Sequence, residues 1–344
     1  MRKLETVLGL VFLFAISCPG QITLHKLSDE LIFKVPPFTQ CHASTIVEVK
    51  PDIFMAAVFG GTRERNKDVS IWLSTKENGE WGKPVEIANG IMNDTLRYPC
   101  WNPVLFKTKE GKLFLFYKVG PDETMWWGMV RTSTNDGKTW TSPERLPEEI
   151  LGPIKNKPVQ LANGTILSPS STETREGSWK VHIEKSTDLG KTWQLIPIDP
   201  ETEFNVIQPS ILVHPKNKLQ ILCRSKNNLN VIVQAYSEDN GNNWGALTKT
   251  DLPNPNSGTD AVTLKNGWHL LVYNPTIQGR GGRAKLNVAI SKDGMIWSDA
   301  VILENEEKGE FSYPAVIQAK DGKVHITYTY NRVNVKHIVL EETK

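Results

Sequence analysis

Short apolar runs, separated by turn residues, follow one another along the chain from about residue 22 to its end. Six of them share one pattern: a polar or aromatic residue, then proline or alanine, then an apolar strand, often followed by a turn. The six stretches are HASTIVEV from His42, NPVLFK from Asn102, KPVQLANG from Lys157, QPSILVHP from Gln208, DAVTLKNG from Asp260 and YPAVIQAKDG from Tyr313. They recur at steps of roughly fifty residues, a period typical of β-propeller blades.

An octapeptide forms a second repeat between these strands. Its copies are STNDGKTW at 133–140, STDLGKTW at 186–193 and SEDNGNNW at 237–244, with degenerate forms STKENGEW at 74–81 and SKDGMIW at 291–297. Aspartate, asparagine and glycine suit a tight turn between two strands. The closing tryptophan is expected to pack under that turn, so five of the eleven tryptophans are predicted to be structural.

Together the two repeats predict an all-β fold, a single six-bladed β-propeller of antiparallel four-stranded blades over residues 21–344. The last blade lacks an octapeptide, and its sequence offers three strands. Residues 22–34 are predicted to supply its fourth strand and to close the ring, because closure leaves no strand edge free to pair with another chain.

Residues 1–20 are predicted to be a secretory signal peptide. Arg2 and Lys3 precede the apolar run VLGLVFLFAI, and small residues follow it. Cys18 leaves a lipoprotein signal as an alternative, and no other segment could span a bilayer. The mature protein is therefore expected to be exported to a periplasm, a cell surface or the medium.

Composition narrows the classes of function. A formal net charge of +2 gives no strong case for nucleic acid or an anionic membrane as partner. Cys41, Cys100 and Cys223 are too few for a disulfide framework, although Cys41 and Cys100 occupy similar repeat positions and a bridge between them stays open. The chain has no CxxC or HExxH motif, so neither a metal nor a cofactor is expected.

The first residues of the six repeated strands are expected to surround one end of the propeller axis. If each stretch forms the innermost strand of its blade, its first side chain faces the axis. The ring would then contain His42, Asn102, Lys157, Gln208, Asp260 and Tyr313. All six can form hydrogen bonds, as the wall of a binding pocket would require, although strand starts are often simply polar.

The octapeptide is the Asp-box, and boxes, period and blade number together resemble the sialidase (neuraminidase) superfamily. The resemblance implies that Tyr313, in a Tyr-Pro strand of the last blade, matches the catalytic tyrosine. It implies that Arg224 and Arg283 match two arginines that bind the substrate carboxylate. Arg63 and Asp68, in FGGTRERNKD, match the segment that carries the acid/base aspartate.

Two departures from the family pattern set a standard sialidase mechanism in doubt. Gln208 stands where sialidases have the glutamate that polarises the tyrosine, and an amide cannot take the phenolic proton. The Arg-Ile-Pro that opens the first blade is missing, and His42 occupies roughly the place of its arginine.

The leading hypothesis is an exo-acting carbohydrate-active enzyme that performs β-elimination on a terminal uronate of an oligosaccharide, as a lyase or an oligosaccharide dehydratase. Elimination needs a neutralised carboxylate, a base and an acid, but no nucleophile. The catalytic candidates are His42, Tyr313 and Asp68. The candidates for substrate binding are Arg63, Arg224, Arg283, Lys157, Gln208, Asn102, Asp260 and Trp101, whose ring suits a sugar face.

Two other functions stay open. One is sialidase-type retaining exo-glycoside hydrolysis, in which Glu173, Glu184 or Glu310 would activate Tyr313 in place of the missing glutamate. The other is a non-catalytic propeller that only binds glycans.

Overall fold

The structure is a computed structural model that describes residues 22–226 and 229–343, with the backbone alone at residue 280. The predicted signal peptide and Cys18 lie outside these residues. Within the described part of the chain, no helix is long and apolar enough to cross a membrane.

Six antiparallel sheets form the blades of a propeller, as the repeats predict. Blade 1 comprises β2 (Gln40–Lys50), β3 (Ile53–Gly61), β4 (Ser70–Glu77), β5 (Glu80–Trp81) and β6 (Val85–Ala88); blade 2 comprises β7 (Cys100–Lys107), β8 (Leu113–Val119), β9 (Trp127–Ser133) and β10 (Glu144–Arg145); blade 3 comprises β11 (Val159–Gln160), β12 (Ile166–Glu173), β13 (Trp179–Ser186) and β14 (Gln194–Pro197). Blade 4 comprises β15 (Val206–Val213), β16 (Leu219–Ser225), β17 (Val231–Ser237) and β18 (Thr248–Pro253); blade 5 comprises β19 (Asp260–Thr263), β20 (His269–Tyr273), β21 (Lys285–Ser291) and β22 (Trp297–Asn305), with a 3-10 helix at Gly279–Ala284; blade 6 comprises β23 (Phe311–Gln318), β24 (Val324–Tyr330), β25 (Asn334–Thr343) and β1 (Thr23–Leu31).

Strand β1 closes the ring. It runs antiparallel to β25, from the pair Thr23 and Thr343 to the pair Leu31 and Lys336. The prediction that residues 22–34 supply the fourth strand of the last blade is confirmed. Blade 6 therefore joins the first and the last described strands of the chain.

The Asp-boxes form the tight turns that their composition predicts. In blade 3, the Ser186 hydroxyl accepts a hydrogen bond from the Gly190 amide at 2.9 Å and donates one to Asp188 at 2.9 Å. In blade 2, the Trp140 indole donates to the Gly137 carbonyl at 3.1 Å. Trp297 makes the same bond to Gly294 at 3.1 Å, whereas the buried indole nitrogens of Trp81 and Trp244 have no hydrogen-bond partner.

Apolar side chains fill the spaces between neighbouring blades. One cluster joins blades 1 and 2 and includes Phe59, Ile71, Leu115 and Tyr117, all almost fully buried. The thiols of Cys41, Cys100 and Cys223 are buried and free, so Cys41 and Cys100 do not pair.

Four innermost strands carry a β-bulge at the same place. The register of β2, β7, β15 and β23 slips there, and the bulged residues have left-handed backbones, with φ of 56° at Ala43, 33° at Asn102, 57° at Gln208 and 53° at Tyr313. A bulge redirects a side chain relative to the regular pleat. The sequence alignment of the repeats is therefore wrong by one residue in blade 1, where Ala43 and not His42 matches Tyr313.

Candidate active site

A cavity of about 620 Å³ lies at one end of the propeller axis, and all six blades contribute to its wall. Its volume lies in the usual range for small-molecule sites. Eight of the residues that the sequence predicts for the site line this axial cavity: His42, Arg63, Trp101, Asn102, Gln208, Arg224, Arg283 and Tyr313.

Tyr313 lies in the wall of the cavity with two hydrogen-bond donors at its oxygen. Arg224 Nη1 donates to Tyr313 Oη at 2.6 Å, and Gln208 Nε2 donates at 3.3 Å. The same Arg224 nitrogen donates to Gln208 Oε1 at 3.2 Å, so the three side chains form one cluster. Arg224 also lies over the rings of Trp179 and Tyr313, with its guanidinium carbon 5.3 and 5.7 Å from their centroids. Both donors stabilise negative charge that develops on the phenol oxygen.

Two further arginines share one carboxylate beside the cavity. Arg283 Nη1 lies 3.0 Å from Glu310 Oε1, and Arg332 Nε lies 2.8 Å from Glu310 Oε2. Arg332 also pairs with Glu64 at 2.6 Å. Although burial raises the pKa of Glu310, Arg332 and Arg283 lower it below its usual range, so the carboxylate stays charged and fixes both guanidinium groups.

His42 lies against Tyr313, with 4.0 Å between the ring centroids. Its Nδ1 is 2.9 Å from the Thr329 hydroxyl, which also accepts the Ala43 amide proton. Burial lowers the pKa of His42 well below its usual value, and Arg332, Arg283 and Arg224 lower it further. The imidazole is therefore neutral at neutral pH, and a proton placed on it would be repelled by the surrounding cations.

Glu173, at the end of β12, also lines the cavity. Burial raises the pKa of its carboxyl to about 7, and the nearby Arg224 only partly opposes this shift. A carboxyl with this pKa keeps its proton near neutrality and can donate it. Of the three glutamates that the sequence suggests as substitutes, Glu310 is held by arginines and Glu184 is buried elsewhere against the Leu151 amide and His182. Glu173 is the one that reaches the axial cavity.

Arginines and tryptophans form the outer part of the wall. Arg63 and Arg65 are exposed, and Arg65 pairs with Glu123. The Trp101 indole donates to the Gly120 carbonyl at 2.9 Å, and its ring packs edge-on against Trp126. Trp101 is thus fixed in the wall with only 3% of its surface exposed, which leaves little of its ring for a sugar to stack on.

Asp68 does not line the axial cavity, in contrast to its predicted catalytic role. Its Oδ2 accepts hydrogen bonds at 2.7 Å from both the amide and the hydroxyl of Thr62. It lines a separate groove that also includes Phe38 and Trp72. The side chain stabilises the loop after β3, and distance along the sequence from Arg63 could not reveal that it turns away.

Lys157 and Asp260 lie outside the cavity wall as well. Lys157 Nζ is 2.9 Å from Asp260 Oδ2, and the Asp260 carboxylate also accepts the amide of Val316 at 2.8 Å and the hydroxyl of Ser210 at 3.2 Å. The pair joins blades 3 to 6 around the axis and has no bond capacity left for a ligand. Asn102 lines the cavity, but its side-chain nitrogen Nδ2 donates to the Ile154 carbonyl at 3.0 Å.

Several residues of the site are absent from the sequence prediction. Arg332 lies in the turn between β24 and β25, and the equivalent turns of the other blades differ from it in length and sequence. Asn256 lies in the loop before β19, where its side chain accepts from Arg224 Nε at 2.8 Å and its carbonyl accepts from Arg283. Among the described residues, no cluster of histidine, cysteine, aspartate or glutamate is arranged to hold a metal ion.

The family model of the BNR repeat-like domain matches residues 52–326. The chain belongs to this family. It is a sialidase-like BNR propeller, in agreement with the resemblance drawn from the Asp-boxes. A comparison with curated protein sequences found no match.

Solved structures share the fold at low sequence identity. A protein of unknown function from Dyadobacter fermentans is 18% identical with a TM-score of 0.75, over 93% of this chain and 99% of its own. The NanB sialidase of Streptococcus pneumoniae is 13% identical with a TM-score of 0.71, over 91% of this chain and 70% of its own. Trypanosoma rangeli sialidase is 17% identical with a TM-score of 0.67, over 88% of this chain and 55% of its own. The TM-scores establish a shared fold, whereas the reaction has to be inferred from the residues of the site.

Proposed function

We propose that this protein is an exo-acting enzyme on a terminal carboxylated sugar of an oligosaccharide. One observation carries the proposal: Arg224 and Arg283, with Arg332 beside them, converge on the cavity that contains Tyr313. Guanidinium groups match a carboxylate with two parallel hydrogen bonds. Cross-blade contacts around Lys157 and Asp260 occupy the axis, which favours entry of a chain end.

The reaction that we propose is β-elimination from a uronate. Tyr313 reacts as the phenolate, after its own proton has left to solvent, and takes the proton from the carbon next to the carboxylate, while the arginines neutralise the charge that develops on the carboxylate. The bond from C4 to its oxygen breaks, a C4–C5 double bond forms, and Glu173 donates its proton to the leaving oxygen. A sugar as leaving group makes the enzyme a lyase, and water makes it a dehydratase.

The groups around Tyr313 support elimination. Gln208 and Arg224 both donate to the phenol oxygen and stabilise the phenolate that takes the proton, whereas a carboxylate in place of Gln208 would repel it. A neutral His42 among arginines is poorly suited to hold the abstracted proton, which favours Tyr313 for that role. The role of general acid, which the sequence assigned to Asp68, is therefore assigned to Glu173.

Retaining hydrolysis of the sialidase type is the second candidate. It is favoured by the placement of Tyr313, Arg224 and Arg283 together in one cavity, as the family resemblance implies. In that mechanism the phenol oxygen, having lost its proton to solvent, attacks the anomeric carbon while Glu173 protonates the leaving group. Water, deprotonated by Glu173, then hydrolyses the glycosyl-tyrosine.

The test is an ultraviolet absorbance time course with product masses. The protein lacking residues 1–20 is mixed separately with uronate-terminated oligosaccharides and with sialosides. Elimination produces an unsaturated-uronate band and, by mass, either a released sugar or loss of one water. Tyr313→Phe should lower the rate by about 100-fold or more. Free sialic acid without the band would overturn elimination in favour of hydrolysis, and binding without any product would leave a glycan-binding propeller.

A further inference from the structure

Lys155 is a fully buried lysine directly behind Tyr313. It lies in the segment before β11, and only 3% of the residue's surface is exposed. Its Nζ lies 5.7 Å from the centroid of the Tyr313 ring. The packing is tight, because a Cβ added to Gly258 would lie 2.8 Å from Lys155 Cε.

The ammonium group of Lys155 has three acceptors. It donates to Asn156 Oδ1 at 2.7 Å, to the Thr259 carbonyl at 3.0 Å and to the Pro314 carbonyl at 2.6 Å. Three N–H groups are available only on the protonated lysine. These contacts tie the segment before blade 3 to the starts of blades 5 and 6.

The bond to Pro314 matters because Pro314 directly follows Tyr313. Tyr313 has a φ of 53°, a left-handed conformation that bulky side chains rarely adopt and that the surrounding structure must hold in place. A buried charge on the next carbonyl fixes the orientation of that peptide and thereby the bulge.

We propose that Lys155 is a positioning residue for Tyr313: by holding the Pro314 carbonyl, it keeps the phenol beside Arg224 and open to the cavity. The proposal rests on the function proposed above only for the claim that Tyr313 reacts. No site residue predicted from the sequence has this role, and Lys155 does not line the cavity.

The charges around Lys155 make its contribution depend on pH. Burial lowers the pKa of Lys155 to about 7; Asp260 opposes this shift, while Lys157 and Arg224 add to it. As pH rises through about 7, the amine keeps two N–H groups for three acceptors, and one contact is lost. The hold of Lys155 on its three acceptors is thus complete below about pH 7 and weakens above it.

The ionisable groups that face Tyr313 are His42 from β2, Arg224 from β16, Arg283 from the 3-10 helix and Lys155. The titration of Lys155 can be distinguished from that of the other three. The arginines keep their charge, and His42 titrates well below its usual value. Glu173 is the remaining cavity group with a pKa of about 7, and it can be removed by substitution.

The experiment is nuclear magnetic resonance of the protein with ¹³C-labelled tyrosine rings, without substrate. The Tyr313 signal is the one absent from Tyr313→Phe. We expect a step in its chemical shift near pH 7 in the unmodified chain, a displaced signal without that step in Lys155→Met, and an intact step in Glu173→Gln. Lys118→Met is the matched control, because Lys118 is fully buried in blade 2, also has a pKa lowered to about 7 by burial, and donates to the Pro153 carbonyl instead. It should keep the step.

A Tyr313 signal that is unchanged in Lys155→Met overturns the positioning role, and the absence of a step near pH 7 in the unmodified chain overturns its pH dependence. If Lys155→Met does not fold, Lys155→Gln replaces it and is judged by the same displacement of the Tyr313 signal. With a substrate in hand, Lys155→Met should lower kcat by about 100-fold while KM stays within about threefold. Loss of the step with no turnover of any glycan would refute the proposed function and leave the positioning role standing.

Discussion

At the scale of single residues, the site differs from the sialidase pattern most clearly beside Tyr313. Gln208 contributes a donor and an acceptor to the cluster, and Arg224 bonds both its amide oxygen and the phenol. A carboxylate in this place would pair with Arg224 and draw it away from the substrate. The neutral amide leaves the guanidinium charge available to a ligand.

Replacing Gln208 with glutamate separates the two reactions. In Gln208→Glu, we expect elimination to fall by about tenfold or more, because a new charge competes for Arg224 and removes a donor from the phenol oxygen. KM for the uronate should rise. Rates on uronate-terminated oligosaccharides and on sialosides are measured side by side. A gain of sialoside hydrolysis with no loss of uronate turnover would contradict elimination by way of Tyr313.

Glu173 sets the expected pH dependence of catalysis. Its carboxyl must be protonated to donate, and its pKa is raised to about 7 by burial. The turnover rate should therefore decline as pH rises through 7. In Glu173→Gln, the rate should fall by about 100-fold and this decline should shrink to the part that Lys155 causes. Initial rates between pH 5 and 9 give both profiles, and a decline of unchanged size in Glu173→Gln would exclude Glu173 as the acid.

The same shift predicts how stability changes with pH. The unfolded carboxyl titrates near its ordinary value of about 4.3, so between about pH 4 and 7 the folded state binds the extra proton. The contribution of Glu173 to stability is therefore full below pH 4 and is lost as pH rises through 7. The melting temperature of Glu173→Gln relative to the unmodified chain should rise from pH 5 to pH 8. An unchanged difference would mean that the carboxyl is not desolvated.

Residue by residue, the sequence was sufficient where the repeats or the family motif mark a position. Tyr313, Gln208, Arg224 and Arg283 all reach the cavity. Arg332 was missed because the connections between the second and third strands differ in length and sequence from blade to blade, so no repeat marks its position. Lys157 and Asp260 were misassigned because each is polar at a strand start, and only three-dimensional contact reveals that they neutralise each other.

At the scale of elements, the bulges decide which side chain of each inner strand enters the cavity. A regular strand alternates its faces, so a one-residue slip moves every side chain to the opposite face. Three of the four bulges have a proline as their second residue, but blade 1 has Ser44 there, and for this reason the alignment placed His42 one position out of step. Even so, His42 packs on Tyr313, because the bulge in β23 brings that ring across to it.

The Asp-box turns are expected to be individually important for stability. In Ser186→Ala, the buried hydroxyl that accepts the Gly190 amide is lost, and that amide is left without its partner. We expect a loss of about 1–2 kcal/mol in the free energy of unfolding. Urea unfolding measures it, with the exposed Ser142→Ala as control. Equal stability of the two variants would mean that the box hydroxyl is dispensable.

At the scale of the whole molecule, closure of the ring depends on β1, which forms the fourth strand of blade 6. Leu24 faces the core of that blade, whereas the neighbouring His25 is exposed. Leu24→Gln should cost about 2–4 kcal/mol by placing a polar group in an apolar site, while His25→Gln should change stability by about 0.5 kcal/mol or less. Thermal unfolding of the two variants tests the closure, and similar losses in both would show that β1 is held only by its backbone.

Blade number and closure were predictable from the sequence because every blade repeats one pattern at a constant period. The apolar strand and the Asp-box each reported the same architecture independently. A propeller whose Asp-boxes are degenerate in two blades can still be recognised from the other copies. Each functional residue of the axial cavity occurs at a single position, so no second copy of it in the sequence can correct a wrong assignment.

Closure by β1 also has a kinetic consequence. Thr23 finds its partner at Thr343, so the last step of folding brings together segments from opposite ends of the sequence. Contacts of such long sequence separation slow folding, because the entropy of the intervening chain is lost before they form. During synthesis, β1 emerges first and waits for the whole chain, with its pairing edge uncovered. A factor that shields this edge until β25 has been made should therefore raise the yield of closed propeller.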